Sequence, residues 1–164
     1  MKLTPAYIAL GANLERPEEQ VKDGFEALAM LPQTRLARVS SLYRTAPVGF
    51  EAQPDFINAV AQIETALEPR ALLDALLAIE RRHGRVRDVS NGPRTLDLDI
   101  VLYGEVELQE PGLTLPHPRM HERAFVMVPL AEIAPDALVP GRGRAGELVA
   151  AFDTKNILKL ATDE

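Results

Sequence analysis

The sequence predicts an α+β fold, an antiparallel sheet with helices on one face, and three observations carry the prediction. Two segments with helical spacing of apolar residues each open on a proline, Pro17 and Pro69. Four other segments alternate polar and apolar residues or are rich in β-branched residues. The six elements follow one another as strand, helix, strand, strand, helix, strand, with turn residues between them.

Tyr7-Ile8-Ala9-Leu10 reads as the first strand, stopped by Gly11-Ala12-Asn13. Pro17 suits the first helical position, where its missing N–H costs nothing. Glu18 and Glu19 occupy the first turn, where the helix dipole favours acids. Val21, Phe25 and Leu28 form the apolar stripe, and Pro32 ends the helix. Thr34 to Arg44 reads as one second strand, and 46–55 as a loop punctuated by Pro47, Gly49 and Pro54. In the third strand, Phe56 to Thr65, Ile57, Ala59, Ala61 and Ile63 share one face, and Phe56, Asn58, Val60 and Gln62 the other. Pro69 opens the second helix. Leu72, Leu73, Leu76, Leu77 and Ile79 form its buried stripe, and Gly84 is its expected cap. Thr95 to Tyr103 is the fourth strand, closed by Gly104. The remainder reads as irregular, with short helical stretches near Ala131 and Glu147. This order is the split βαβ arrangement, a ferredoxin-like βαββαβ core whose second sheet face is left for later segments or a ligand.

Composition narrows the function. The 164 residues include no cysteine, which excludes thiol catalysis, disulfide scaffolds and Cys-ligated metals. With 46% hydrophobic and 26% charged residues the chain is of globular type. No run approaches the ~18 apolar residues of a membrane helix, and the N-terminus lacks a signal-peptide core, so the expectation is a cytoplasmic protein. The net charge of −6 disfavours non-specific nucleic-acid binding. One segment runs against that average: Arg81 to Arg94 holds Arg81, Arg82, Arg85, Arg87 and Arg94 against the single acid Asp88. A concentrated basic segment in an acidic chain fits a small polyanion; a solvated loop is the plain alternative.

Gly92-Pro93-Arg94-Thr95-Leu96-Asp97-Leu98-Asp99-Ile100-Val101 carries the most chemistry. On a strand, Leu96, Leu98, Ile100 and Leu102 face the core. Asp97 and Asp99 then share the opposite face, roughly 6.5–7 Å apart. Aspartate is depleted in strands, so two on one face conflict with local propensity, as functional sites often do. Paired carboxylates off the core suit Mg²⁺ or Mn²⁺, which often bind one or two carboxylates plus substrate phosphates. With Arg94 three residues upstream, the pattern is that of phosphoryl transfer. No P-loop and no kinase glycine loop is present, so side chains and metal on a sheet face must hold the phosphate.

Two further groups join it. His117 and His121 in Pro116–Phe125 have an i, i+4 spacing that would suit zinc on a helix. Only Glu122 or His83 offers a third ligand, so a phosphate-contacting loop using His117 and Arg123 is the better reading. Phe56 and Asn58 share a strand face, an aromatic and an amide suited to a flat, hydrogen-bonding heterocycle.

On these residues the chain resembles the 6-hydroxymethyl-7,8-dihydropterin pyrophosphokinases of the folate pathway. The similarity runs through Gly11-Ala12-Asn13-Leu14, Ser41 to Pro47, Gln53 to Ala59, Gly92 to Ile100 and Pro116 to Phe125, roughly 130 residues in order. The resemblance implies a single pyrophosphokinase domain over 1–164, with a C-terminal tail from about 153. It implies a monomer that binds ATP and 6-hydroxymethyl-7,8-dihydropterin, with no nucleic-acid or membrane partner, and passes pyrophosphate to the pterin, releasing AMP. Asp97 and Asp99 would hold two Mg²⁺ ions on ATP. Arg94, His117 and Arg123 would contact the triphosphate, with Arg85 and Arg87 on a loop closing over it and Glu80 near the nucleotide. Phe56 and Phe125 would stack on the pterin. Asn58 and backbone groups near Thr45 and Val48 would read its edge. Departures are local: Ser90 and Asn91 stand where relatives often carry a basic residue and a tryptophan, the Arg85–Arg94 loop is a residue shorter than in some relatives, and Pro118 replaces a frequent tyrosine. Two rivals remain at this level. A nucleotide-sugar transferase would need a larger nucleotide-binding domain. An RNA-binding module would need aromatics where the sheet face carries aspartates.

Overall fold

In the computed structural model, which describes residues 2–14, 16–46, 54–83 and 95–160, the alternating segments join into one antiparallel sheet. Its strands are β1 (Thr4–Ala12), β2 (Thr34–Val39), β3 (Tyr43–Thr45), β4 (Phe56–Thr65), β5 (Asp97–Tyr103) and, from the far end of the chain, β10 (Ile157–Lys159). The helices of the first half are α1 (Pro17–Ala29) and α2 (Pro69–Arg82). Downstream lie the hairpin β6 (Leu108–Glu110) and β7 (Leu113–Leu115), α3 (Ala124–Ile133), the hairpin β8 (Leu138–Val139) and β9 (Gly143–Arg144), and α4 (Ala145–Val149). The strand order is β10-β3-β4-β1-β5, and β2 pairs with β4 beyond β3.

The alternation sorts residues into two cores. Ala6, Ile8, Leu10 and Ala12 of β1 and Ile57, Ala59, Ala61 and Ile63 of β4 point towards α1 and α2. They meet Val21 and Leu28 of α1 and Leu72, Leu76 and Ile79 of α2; Phe25 and Leu73 pack at the margin. α1 lies close because residue 24 is glycine: a Cβ there would stand 2.8 Å from Leu10 Cδ2. The glycine costs about 0.5–1 kcal/mol of helix propensity relative to alanine.

The opposite face carries the second core. Val60 of β4 and Val101 and Leu102 of β5 pack there against Met120 and against Val126, Met127, Leu130 and Ile133 of α3.

Five expectations change in whole or in part. The first strand is longer than its apolar centre and runs through Gly11 and Ala12. The expected single strand 34–44 is two, because Ser40 breaks it: its N–H donates to Val60 O at 2.9 Å, and its hydroxyl accepts Val60 N–H at 2.9 Å. A register shift between β1 and β5 inserts Val101, so Leu102 joins the second core instead of the helix-side core with Leu98 and Ile100. The segment after 104, expected to be irregular with short helical stretches near Ala131 and Glu147, carries helices at both places, α3 and α4, and the first is a full ten residues. Within the expected tail from about 153, Ile157–Lys159 pairs with β3.

Candidate active site on the open sheet face

Strand register decides which side chains meet opposite α1 and α2. Gly11 is paired with Asn58 on one side and with Asp97 on the other, and Ala9 likewise stands between Val60 and Asp99. Two rows therefore cross the sheet, Asn58–Gly11–Asp97 and Val60–Ala9–Asp99. α3 covers the face at Val60. The small residues of β1 keep the space between the two outer strands low, and both aspartates are half-buried on that face.

The backbone beneath the aspartates is held from the other side. Glu80, on α2 and 1% exposed, accepts the Leu98 N–H at 2.7 Å. Leu98 lies between Asp97 and Asp99, so a helix carboxylate fixes the strand that presents them. The resemblance implies a place for Glu80 near the nucleotide; its carboxylate bonds the β5 backbone.

His117 reaches the same strand. Its N–H donates to Val101 O at 3.0 Å, and its Nδ1 accepts the Arg119 N–H at 3.1 Å. Burial, then the positive charge of Arg123, pushes its pKa down to about 4; Asp97 opposes this and Arg119 adds to it. The imidazole is therefore neutral at pH 7, and with Nδ1 accepting, its proton sits on Nε2 as a donor. Arg123 stands in extended conformation at the start of α3, with its guanidinium 5.6 Å from the centroid of the Phe125 ring. The electrostatics of His117 thus bring Asp97, His117 and Arg123 together, and Phe125 comes with Arg123.

At the β3–β4 end, Thr45 is paired with Phe56 and Tyr43 with Asn58. The Thr45 hydroxyl donates to Asn58 Oδ1 at 2.6 Å, and both residues are buried. Phe56 is half-buried on the face of Asn58. Val48, Arg85, Arg87 and Arg94, together with Gly84, Ser90 and Asn91, lie outside the described residues. The His117–His121 pair does not share a helix: His121 sits in the 3-10 turn Met120–Glu122, its Nε2 3.6 Å from Glu122.

Sequence reasoning missed three supports. Gly11 gives Asn58 room. Asn13, 2% exposed, donates Nδ2–H to Pro54 O at 2.9 Å and fixes the chain where it enters β4. Glu132 of α3 accepts the Ser41 N–H at 2.9 Å, the Ser41 hydroxyl at 2.7 Å and the Tyr43 hydroxyl at 2.8 Å, with Lys159 Nζ at 3.6 Å. Asn13 and Gly11 belong to a recognisable run; nothing local marks Glu132, whose partners lie about 90 residues away.

Asp97 and Asp99 offer oxygen donors alone, and among the described residues no three His, Asp or Glu side chains form a metal cage. That donor set fits Mg²⁺, which keeps few protein ligands and shares the rest with substrate phosphates. A carboxylate pair, a neutral imidazole and an arginine on one antiparallel sheet face define a class: small α+β proteins with a site suited to a cation and phosphate. The comparisons narrow it. Residues 7–135 match the family model described as 7,8-dihydro-6-hydroxymethylpterin-pyrophosphokinase (HPPK), and the chain belongs to this family.

Two curated relatives are named 2-amino-4-hydroxy-6-hydroxymethyldihydropteridine pyrophosphokinase. The Pseudomonas aeruginosa protein is 51% identical over 154 residues, covering 94% of this chain and 95% of the relative. The Haemophilus influenzae protein is 50% identical over 155 residues, covering 94% and 97%. Among solved structures, an HPPK-DHPS in complex with substrates aligns with a TM-score of 0.75 at 12% identity, over 98% of this chain and 47% of that one. Wild-type Plasmodium falciparum HPPK-DHPS with SDX-DHP gives 0.72 at 13%, over 95% and 47%. This chain spans about half the length of those structures, and at such identities the likeness concerns fold.

Proposed function

We propose that the protein transfers pyrophosphate from ATP to the hydroxymethyl oxygen of 6-hydroxymethyl-7,8-dihydropterin and releases AMP, a step of folate biosynthesis. This is the activity for which its family is named. The observation that carries the reading to particular residues is the pair Asp97 and Asp99, set across Gly11 and Ala9 from the wall of Asn58 and Val60.

In this reading the βαββαβ part is a ferredoxin-like core, and the whole chain acts as one domain and as a cytoplasmic monomer. Asp97 and Asp99 hold two Mg²⁺ ions with the triphosphate. The metal supplies charge neutralisation on the phosphate oxygens. His117 offers its Nε2–H to a phosphate oxygen without adding charge. Arg123 neutralises the triphosphate, joined by Arg94, Arg85 and Arg87 from the basic segment. Glu80 serves the nucleotide side by fixing the strand that carries the aspartates. Phe56 and Phe125 stack on the pterin, Asn58 pairs with its edge, and backbone groups near Thr45 and Val48 complete the edge. No side chain is assigned as base. A primary alcohol attacking phosphorus gains chiefly from positioning and charge neutralisation, so these residues act by holding the oxygen in line with the β-phosphorus.

Calorimetry tests the reading. The protein should bind 6-hydroxymethyl-7,8-dihydropterin as a 1:1 complex in the presence of Mg²⁺ and a non-hydrolysable ATP analogue. Absence of pterin binding both with and without the nucleotide contradicts it.

A further inference from the structure

We infer that Gly11 and the Thr45 hydroxyl are positioning residues that preset the carboxamide of Asn58, so that the site meets its heterocycle with a fixed hydrogen-bond donor. The inference rests on the pterin reading of Asn58 and names what makes that residue selective. Gly11 and Asn58 are direct partners across β1 and β4. A Cβ on residue 11 would stand 2.9 Å from Asn58 Nδ2, whereas the next nearest atom outside Asn58, Ile57 O, is 3.9 Å away. The amide nitrogen thus lies in the space that a side chain at 11 would fill. Gly11 keeps an ordinary strand conformation, so the backbone itself does not require glycine there. What requires it is the amide.

The other end of the carboxamide is tied down. Thr45 and Asn58 are 5% and 8% exposed, and the hydroxyl donates to Oδ1 at 2.6 Å. A buried amide with its oxygen occupied in this way turns its NH₂ away from Thr45, over Gly11 and towards the row that ends in Asp97. The fixed NH₂ calls for an acceptor on the facing edge, a carbonyl oxygen or an unprotonated ring nitrogen, while the second lone pair of Oδ1 stays open to a donor beside it. A freely turning amide could meet the edge in either orientation; a preset one holds a single orientation and needs no ordering when the heterocycle arrives.

The test is a double-mutant cycle on binding. Pterin affinity in saturating Mg²⁺ and ATP analogue is measured for wild type, Gly11→Ala, Asn58→Ala and the double variant, with nucleotide affinity measured alongside. Wild-type pterin binding must be present for the function itself to stand, which separates that failure from this one. Gly11→Ala should weaken pterin binding at least about fivefold and leave nucleotide binding within about twofold. In the Asn58→Ala background the same substitution should change pterin affinity less than about twofold, because the group it displaces is gone. Thr45→Val should weaken pterin binding as Gly11→Ala does, and Thr45→Ser should restore it. An undiminished effect of Gly11→Ala without the Asn58 amide, or a Thr45→Val variant with normal affinity, overturns the inference.

Discussion

Asp97 and Asp99 sit on a strand whose other residues are apolar, and their place on the open face follows from alternation alone. Replacing either by alanine should lower turnover at saturating Mg²⁺ by at least about 100-fold. The far-ultraviolet circular dichroism of the native fold should persist, because the core contacts of β5 belong to Leu98, Ile100, Val101 and Leu102. Near-normal turnover in either variant removes them from the site. His117 shows the opposite kind of residue, one whose chemistry could not be read locally. Burial and Arg123 hold its pKa at about 4, well below its ordinary 6.5. Its folded-state value is lowered, so it favours the folded state above pH 6.5, and that contribution is lost as pH falls towards 4. In the metal-free protein its ring resonances should stay flat from pH 8 down to about 5. A midpoint near 6.5 contradicts the buried, neutral imidazole. Spacing alone gave the alternative of zinc; the backbone around Met120–Glu122 removes the helical geometry on which that pairing depended.

At the level of elements, the legible parts were those with a single exposed face. α1 and α2 are amphipathic and open on prolines, so their spacing fixes them. α3 is apolar nearly all round, with Pro129 inside it, because it is buried beside Val60 and Leu102. A helix without a stripe gives periodicity little to detect, so only a short helical stretch near Ala131 was legible. The break between β2 and β3 was equally hidden, since it depends on the Ser40 hydroxyl meeting Val60 across the sheet. Glu132 joins these two late-found pieces. Burial alone would raise its pKa, but the bonds from Ser41 and Tyr43, with Lys159 near, more than offset this and hold it below the ordinary carboxyl range. Burial and the neighbouring carboxylate push Tyr43 upward, so it stays a donor. The lowered carboxyl stabilises the fold at neutral pH, and that stabilisation is lost as pH falls below about 4.5. Glu132→Gln should cost about 1–3 kcal/mol at pH 7, and the gap to wild type should narrow in denaturant unfolding as the pH falls below about 4.5. A gap independent of pH contradicts the assignment of the bond network to an ionised Glu132.

For the whole molecule, the sheet is the frame: one face packs on α1 and α2, and the other is divided between α3 and the candidate site. Apart from the break between β2 and β3, the strand and helix order of the first 103 residues was legible because each element repeats its own period. Of the last 60, only the helical stretches near Ala131 and Glu147 were legible, since the two small hairpins and β10 depend on contacts made elsewhere in the fold. The edge strand β10 pairs with β3, which also bears Thr45, so β10 closes the sheet beside the Thr45–Asn58 hydrogen bond. The central claim concerns which phosphorus is attacked, and the fate of the label from γ-³²P-ATP tests it most directly. Incubated with Mg²⁺ and 6-hydroxymethyl-7,8-dihydropterin, the protein should place the label on the pterin as a diphosphate and release one unlabelled AMP per turnover. ADP together with a pterin monophosphate would contradict the account.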